Sequence, residues 1–137
     1  MKSQIVAGIY SRLSREDTKN GKKDVSVSIE NQRKMLEDYC NERGWKYYSY
    51  EDDDFSGVNF DRPSFQRMIR DMKAGNINCI VTKDLSRFGR NVAEGSRYRD
   101  EVFPEYGVRF VTLDGQYDSE NEDNDIAPFI DVFKNIR

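Results

Sequence analysis

The chain has no histidine. That removes the imidazole base of a Ser-His-Asp relay and one of the commonest metal ligands. Its two cysteines, Cys40 and Cys79, lack metal-site spacing and read as reduced core thiols of a cytosolic protein. No apolar run approaches the roughly 20 residues of a membrane span. The apolar stretch near the N-terminus is too short for a signal peptide, and no small-residue cleavage site follows it. No repeat or low-complexity segment appears. Positive charge is not in excess either: 22 Lys and Arg stand against 25 Asp and Glu, for a net charge of −3 and a pI of about 5.1. This argues against a domain that holds DNA by bulk electrostatics alone, though not against a catalytic domain brought to DNA by another module.

With 137 residues, 36% hydrophobic and 34% charged, the chain suits one domain with a single core and a highly charged surface. Gln4 to Tyr10 reads as a first strand, apolar enough to be covered on both faces. Residues 15–27 are polar and lysine-rich, as in a loop. A helix starts near Ser28, a good N-cap with Glu30 in the first turn. Ile29, Met35, Leu36, Tyr39 and Cys40 give it an apolar stripe, and Gly44 a stop. Trp45 to Tyr50 is a second strand. A second helix opens at Asp61-Arg-Pro63, carries Phe65, Met68, Ile69 and Met72 on one face, and ends at Gly75. Ile77 to Thr82 is a third strand. A third helix is predicted from Val92 to Phe103, before Pro104, and a fourth strand from Val108 to Leu113. The acidic run at 118–125 reads as a solvated loop. A last helix starts at Ile126. The fold class is α/β: a mostly parallel open sheet of about four or five strands with helices on both faces. Residues 1–125 form the domain. Residues 126–137 begin a long helix of a larger protein, of which this chain is expected to be the N-terminal part.

Three arginine-bearing segments stand at the ends of the predicted strands: Tyr10-Ser-Arg-Leu-Ser14, Phe55-Ser-Gly-Val-Asn-Phe-Asp-Arg-Pro63 and Lys83-Asp-Leu-Ser-Arg-Phe-Gly-Arg90. Strand C-terminal ends of a parallel sheet share one edge, where ligands bind. A serine hydroxyl and several guanidinium groups would meet there. Serine is a weak nucleophile at neutral pH and needs a proton acceptor or a strong field. Arginine's planar fork matches phosphate oxygens bidentately. No carboxylate or cysteine set has metal-motif spacing. The inventory best allows an arginine-supported serine acting on a phosphate.

These segments resemble the catalytic domain of the serine recombinases, the resolvase/invertase superfamily, and most closely that of the large serine recombinases of mobile elements. Tyr-Ser-Arg-Leu-Ser (10–14) matches the family's Tyr-x-Arg-x-Ser, which implies that Ser14 is the nucleophile and Arg12 its partner. Ser28-Ile-Glu-Asn-Gln-Arg33 matches the segment whose glutamine, here Gln32, supports the site. Asp53-Asp-Phe-Ser-Gly57 matches the strand end that supplies an acid, Asp53, and a second serine, Ser56. Arg62 and Pro63 follow with the family's spacing, which implies that Arg62 is a further catalytic arginine at the phosphate. Lys83 to Arg90 matches the segment whose arginines, Arg87 and Arg90, bind the scissile phosphate, with Lys83 also a candidate. Small resolvases carry an aspartate where this chain has Ser86. That leaves the general acid open between Asp84, an arginine and water. The resemblance implies site-specific recombination of double-stranded DNA through a 5′-phosphoserine intermediate, without metal or other cofactor. It also implies a homodimer that assembles to a homotetramer, and a bacterial cytoplasmic protein found at the nucleoid when acting.

Ordinary readings stand beside these. Ser11 competes with Ser14 as nucleophile. Arg62 suits a helix cap, Ser56 a turn beside Gly57, Gln32 a polar helix position, and Asp53 a solvated run. Two other function classes are a receiver-like phosphoacceptor using Asp52 to Asp54 with magnesium, and a catalytically silent DNA-complex or dimerisation module. The first needs an acidic pair after strand one, where this chain has Ser and Arg.

Overall fold

The structure, a computed structural model, describes residues 4–13, 28–53, 62–85, 92–115 and 117–120. Four parallel strands form one sheet in the order β2-β1-β3-β4: β1 (Val6–Leu13), β2 (Lys46–Asp53), β3 (Cys79–Thr82) and β4 (Arg109–Thr112). Side chains alternate between the two faces. On one face Ala7, Ile9, Cys79, Val81 and Val111 pack with Leu36 and Cys40 of α1 (Ile29–Arg43). On the other, Tyr10, Tyr50, Ile80 and Phe110 pack with α2 (Pro63–Lys73) and with Phe103. Helices therefore cover both faces, as the sequence predicts. Both cysteines are free and buried.

The first two strands run further than their apolar runs. β1 continues through Ser11-Arg-Leu13, because its pairing with β2 extends to Leu13↔Asp53. Arg12 thus belongs to the strand rather than to a loop beyond it. β2 likewise includes Glu51, Asp52 and Asp53, acidic residues that read as solvated.

Helix α1 begins as expected: the Ser28 side chain accepts from Asn31 N–H at 3.2 Å, and Gly44 closes the helix at φ 70°. Its buried positions are Gln32, Leu36 and Cys40, one per turn. Met35, expected in the stripe, points away and is 41% exposed. In α2, all four expected apolar residues are buried, and the helix stops at Ala74, one residue before Gly75. Gly8 faces this side of the sheet, where a Cβ would stand 2.7 Å from Ile77 Cδ1, so any side chain there would have to displace the tip of Ile77.

The third helical stretch does not end before Pro104. It runs as α3 (Val92–Arg97), a π-helical turn (Tyr98–Val102) and α4 (Phe103–Tyr106). Proline lacks a backbone N–H and clashes inside an α-helix. The widened π turn precedes it, so Pro104 sits in the first turn of a new helix, where no donor is needed. Beyond β4, Asp118 bridges to Val111 and chelates Arg109 at 3.0 and 2.8 Å, so the acidic run is anchored at its start. The predicted helix at 126–137, and the boundary before it, lie outside the described residues.

Candidate active site

The strand order reverses direction between β1 and β3, and the crevice at such a switch point, beyond the strands' C-terminal ends, is where ligands bind in open α/β sheets. Arg12 stands at that point, in the last turn of the β1 ladder, and is 8% exposed. Its neighbour β3 ends opposite Tyr10, at Thr82. Gln32 fills the place of the missing strand. The Arg12 backbone N–H donates to Gln32 Oε1 at 3.1 Å, and Gln32 Nε2 donates to the Arg12 carbonyl at 2.9 Å. A carboxamide carries the same donor and acceptor as a peptide group, so it continues the ladder by one rung. The expected supporting glutamine is fully buried and acts on the backbone of Arg12.

A second network joins the ends of β1, β2 and α2. The Asp52 carboxylate, 2% exposed, accepts from the N–H groups of Ser64 at 3.0 Å and Phe65 at 2.9 Å, and from the Tyr10 hydroxyl at 2.8 Å. It caps α2 in place of Arg62, whose side chain makes no capping bond. Arg62 lies in the left-handed region (φ 53°). Its Nη1 donates to Glu94 Oε1 at 2.6 Å, and its Nε faces Tyr10 Oη at 3.4 Å. Burial acts to lower the Arg62 pKa, but its hydrogen-bonded partners outweigh it and hold the guanidinium above its ordinary value. Burial raises the Tyr10 phenol, an effect Arg62 opposes and Asp52 reinforces.

The other predicted residues divide in two. Asp53 ends β2 and is half-buried; Lys83 and Asp84 follow β3, also half-buried. The Lys83 carbonyl accepts from Asp114 N–H at 3.1 Å, which ties this exit to β4. Ser14, Ser56, Ser86, Arg87 and Arg90 lie outside the described residues. Ser11 is fully buried, and its hydroxyl has no hydrogen-bond partner among the described residues; that burial keeps it from any exposed phosphate. The Asp52 carboxylate is spent on backbone and phenol donors, which takes Asp52 out of the acidic set a receiver-like use would draw on. Burial pushes the thiols of Cys40 and Cys79 up to about 11 and about 12, so neither is a nucleophile at neutral pH. Among the described residues no group of three or more Cys, Asp and Glu side chains could hold a metal ion, and no described helix is long and apolar enough to cross a membrane. A groove of about 340 Å³ lined by Arg33, Ser49, Glu51, Ser64 and Arg67 opens at the outer edge of β2, away from the switch point.

Sequence reading named Asp52 only as an acid of the receiver-like alternative, not as the cap of α2, and missed Glu94. Strand alternation carries a signal for the first, since Asp52 shares the inward face of Tyr50. Nothing local marks Glu94, whose partner is 32 residues away.

This sheet, with a buried arginine at the end of its central strand, is the fold of a serine recombinase catalytic domain. The chain belongs to the resolvase N-terminal domain family, whose pattern it matches over residues 7–136. Among solved structures it is similar to the N-terminal catalytic domain of TP901-1 integrase, with 26% identity and a TM-score of 0.69, covering 96% of this chain and 92% of that one. The C-terminal catalytic domain of ISC1926 TnpA, an IS607-like serine recombinase, shares the fold at 23% identity and a TM-score of 0.60, covering 96% of this chain and 81% of that one. A serine recombinase from Sulfolobus solfataricus does so at 19% identity and a TM-score of 0.57, covering 98% and 83%. No curated protein matches the chain.

Proposed function

We propose that this domain cuts and rejoins double-stranded DNA in site-specific recombination, as in integration, excision or transposition, with Ser14 as the nucleophile. The Ser14 oxygen attacks the scissile phosphorus and loses its proton to an acceptor. The bond from phosphorus to the 3′ oxygen breaks, and that oxygen takes up a proton. The products are a 5′-phosphoserine link and a free 3′-hydroxyl. Rejoining reverses these steps on an exchanged 3′-hydroxyl, so bond energy is conserved and no cofactor is consumed. Arg12, Arg87 and Arg90 neutralise the phosphate oxygens. Two dimers of the whole recombinase pair to a tetramer for strand exchange, in the bacterial nucleoid.

The observation that carries this reading is the position of Arg12. It stands one residue before the end of β1, at the β1/β3 switch point, with its backbone fixed by Gln32. Two residues on comes Ser14, and the segment that contains Arg87 and Arg90 follows the neighbouring β3.

The test is covalent capture. Incubated with its recombination site, the active protein should yield a DNA-linked species whose linkage peptide maps to Ser14, equally well in excess EDTA. Ser14→Ala should abolish the adduct and leave site binding nearly intact, while Ser11→Ala should keep it. An adduct persisting in Ser14→Ala, or formed only when a divalent ion is restored, would count decisively against the mechanism.

A further inference from the structure

Arg62 falls in a motif that reads as part of the phosphate-binding set, yet its side chain is only 2% exposed. Its guanidinium carbon stacks 3.8 Å from the Phe65 ring centroid and 5.7 Å from that of Tyr10. One edge is closed by Glu94 at 2.6 Å, and Nε faces the Tyr10 hydroxyl at 3.4 Å. An arginine that binds a phosphate must offer it paired N–H groups; in this one Nη1 and Nε are directed at Glu94 and Tyr10.

Its partners lie on the elements that flank the reacting segments. Tyr10 is four residues before Ser14 on β1, and Glu94 is four residues after Arg90 on α3. The β1/β3 ladder ends at Tyr10↔Thr82, so hydrogen bonding within the sheet does not set the register of α3. Among the described residues, side-chain contacts do: Gly95 lies beside Leu85, where a Cβ would be in ordinary contact at 3.4 Å, Glu94 meets Arg62, and, in the turn that continues α3, Tyr98 packs edge-on to Phe65 at 5.3 Å. We propose that Arg62 is a positioning residue and Glu94 its partner: the pair ties α3 to β1 and α2 and so sets the distance between the segment of Arg12 and Ser14 and that of Arg87 and Arg90. This rests on the recombinase reading. It removes Arg62 from the groups that touch DNA and adds Glu94 to those on which catalysis depends.

The experiment uses the full recombination-competent chain, single-turnover formation of the Ser14–DNA adduct, and two substrates, one ordinary and one with a neutral methylphosphonate at the scissile position. Glu94→Gln and Arg62→Met should each slow the reaction about 10- to 100-fold, the loss expected when reacting groups shift by about an ångström, with DNA affinity unchanged. The double variant should be no slower than Arg62→Met, because both changes break one link. The methylphosphonate should restore Arg87→Ala, whose charge it makes unnecessary, and should not restore Arg62→Met. Rescue of Arg62→Met would overturn the proposal by putting Arg62 on the phosphate. So would an unchanged rate in Glu94→Gln, or a lowered melting temperature with a normal rate per folded molecule, the mark of a purely structural pair. If Arg62→Met does not fold, Arg62→Lys, which keeps the charge toward Glu94 and loses the planar contact to Tyr10, takes its place with the same readings. Failure of the unsubstituted protein to form any Ser14 adduct would sink the recombinase reading itself, and this assignment with it.

Discussion

At the scale of single residues, the placement of Arg12 comes from its backbone. Gln32 holds both the N–H and the carbonyl of that residue, so the guanidinium departs from a fixed Cα at the end of the sheet. In the proposed reaction a fixed origin suits a planar fork that meets phosphate oxygens at two points. Lysine has the charge without the fork. Arg12→Lys, Arg87→Lys and Arg90→Lys are therefore each expected to slow adduct formation by roughly 10²–10³, the usual loss for one well-placed transition-state donor. Near-normal single-turnover rates in all three would make them surface charges. Much at this scale was legible: the motif around Arg12, the glutamine that supports it and the N-cap Ser28 all stand in the sequence. The roles of Asp52 and Glu94 were not, because a buried carboxylate in an acidic run looks like a solvated one until the strand's inward face is known. The motif already picks Ser14 over Ser11, and the full burial of Ser11, visible only once the strand is paired, speaks further against Ser11 as the nucleophile.

At the scale of elements, the sequence reading found the four strands and the helices α1, α2 and α3, missed the π turn and α4 around Pro104, and erred at element ends. Hydrophobic patterning reports burial by side chains, whereas a strand ends where its hydrogen-bond partners end. β1 and β2 sustain each other past their apolar residues to Leu13↔Asp53, and polar side chains satisfy the borders. Asn78 completes β1 at its start, accepting from Val6 N–H at 2.9 Å, as Gln32 does at its finish. Pro104 misled for a related reason: it stops an α-helix but not one that has widened just before it. The junction of β2 with α2 depends on Asp52, which gives one carboxylate to two backbone donors and a phenol. Asp52→Asn keeps the shape and turns one acceptor oxygen into an NH2 that faces donors. Leaving a buried donor unsatisfied costs about 1–3 kcal/mol, so urea unfolding should show a loss of that size. An unchanged midpoint would mean that α2 is anchored elsewhere.

At the scale of the whole molecule, two cores back to back on one sheet hold the strand ends in register, and both cores bury groups that must stay protonated. On the α2 face burial raises the phenols of Tyr10 and Tyr50, the latter also through its 2.6 Å bond to Asp71. On the α1 face burial raises Cys40 to about 11 and Cys79 to about 12. The unfolded chain ionises these groups near their ordinary values, about 8.5 for cysteine and about 10 for tyrosine. Between those values and the raised folded ones, the folded state binds more protons than the unfolded state. Stability must then fall as pH rises, since its slope follows the protons bound unfolded minus those bound folded. These groups contribute their full stabilisation below a pH of about 8.5, the lowest of their unfolded values. The contribution declines above it, first through the thiols and then, past about pH 10, through the phenols. Urea unfolding in steps between about pH 7 and 11 should trace this decline. Cys79→Ala should flatten its first part and Tyr50→Phe its second, each against its own lower starting stability. Tyrosinate absorbance adds an independent check: the part of the signal removed by Tyr10→Phe and by Tyr50→Phe should rise with unfolding and not ahead of it. If the phenolates of Tyr10 and Tyr50 form while the protein is still folded, the α2 face is open to solvent, and the network that joins Tyr10, Asp52 and Arg62 is not the dry, fixed junction on which the geometry of the strand ends depends.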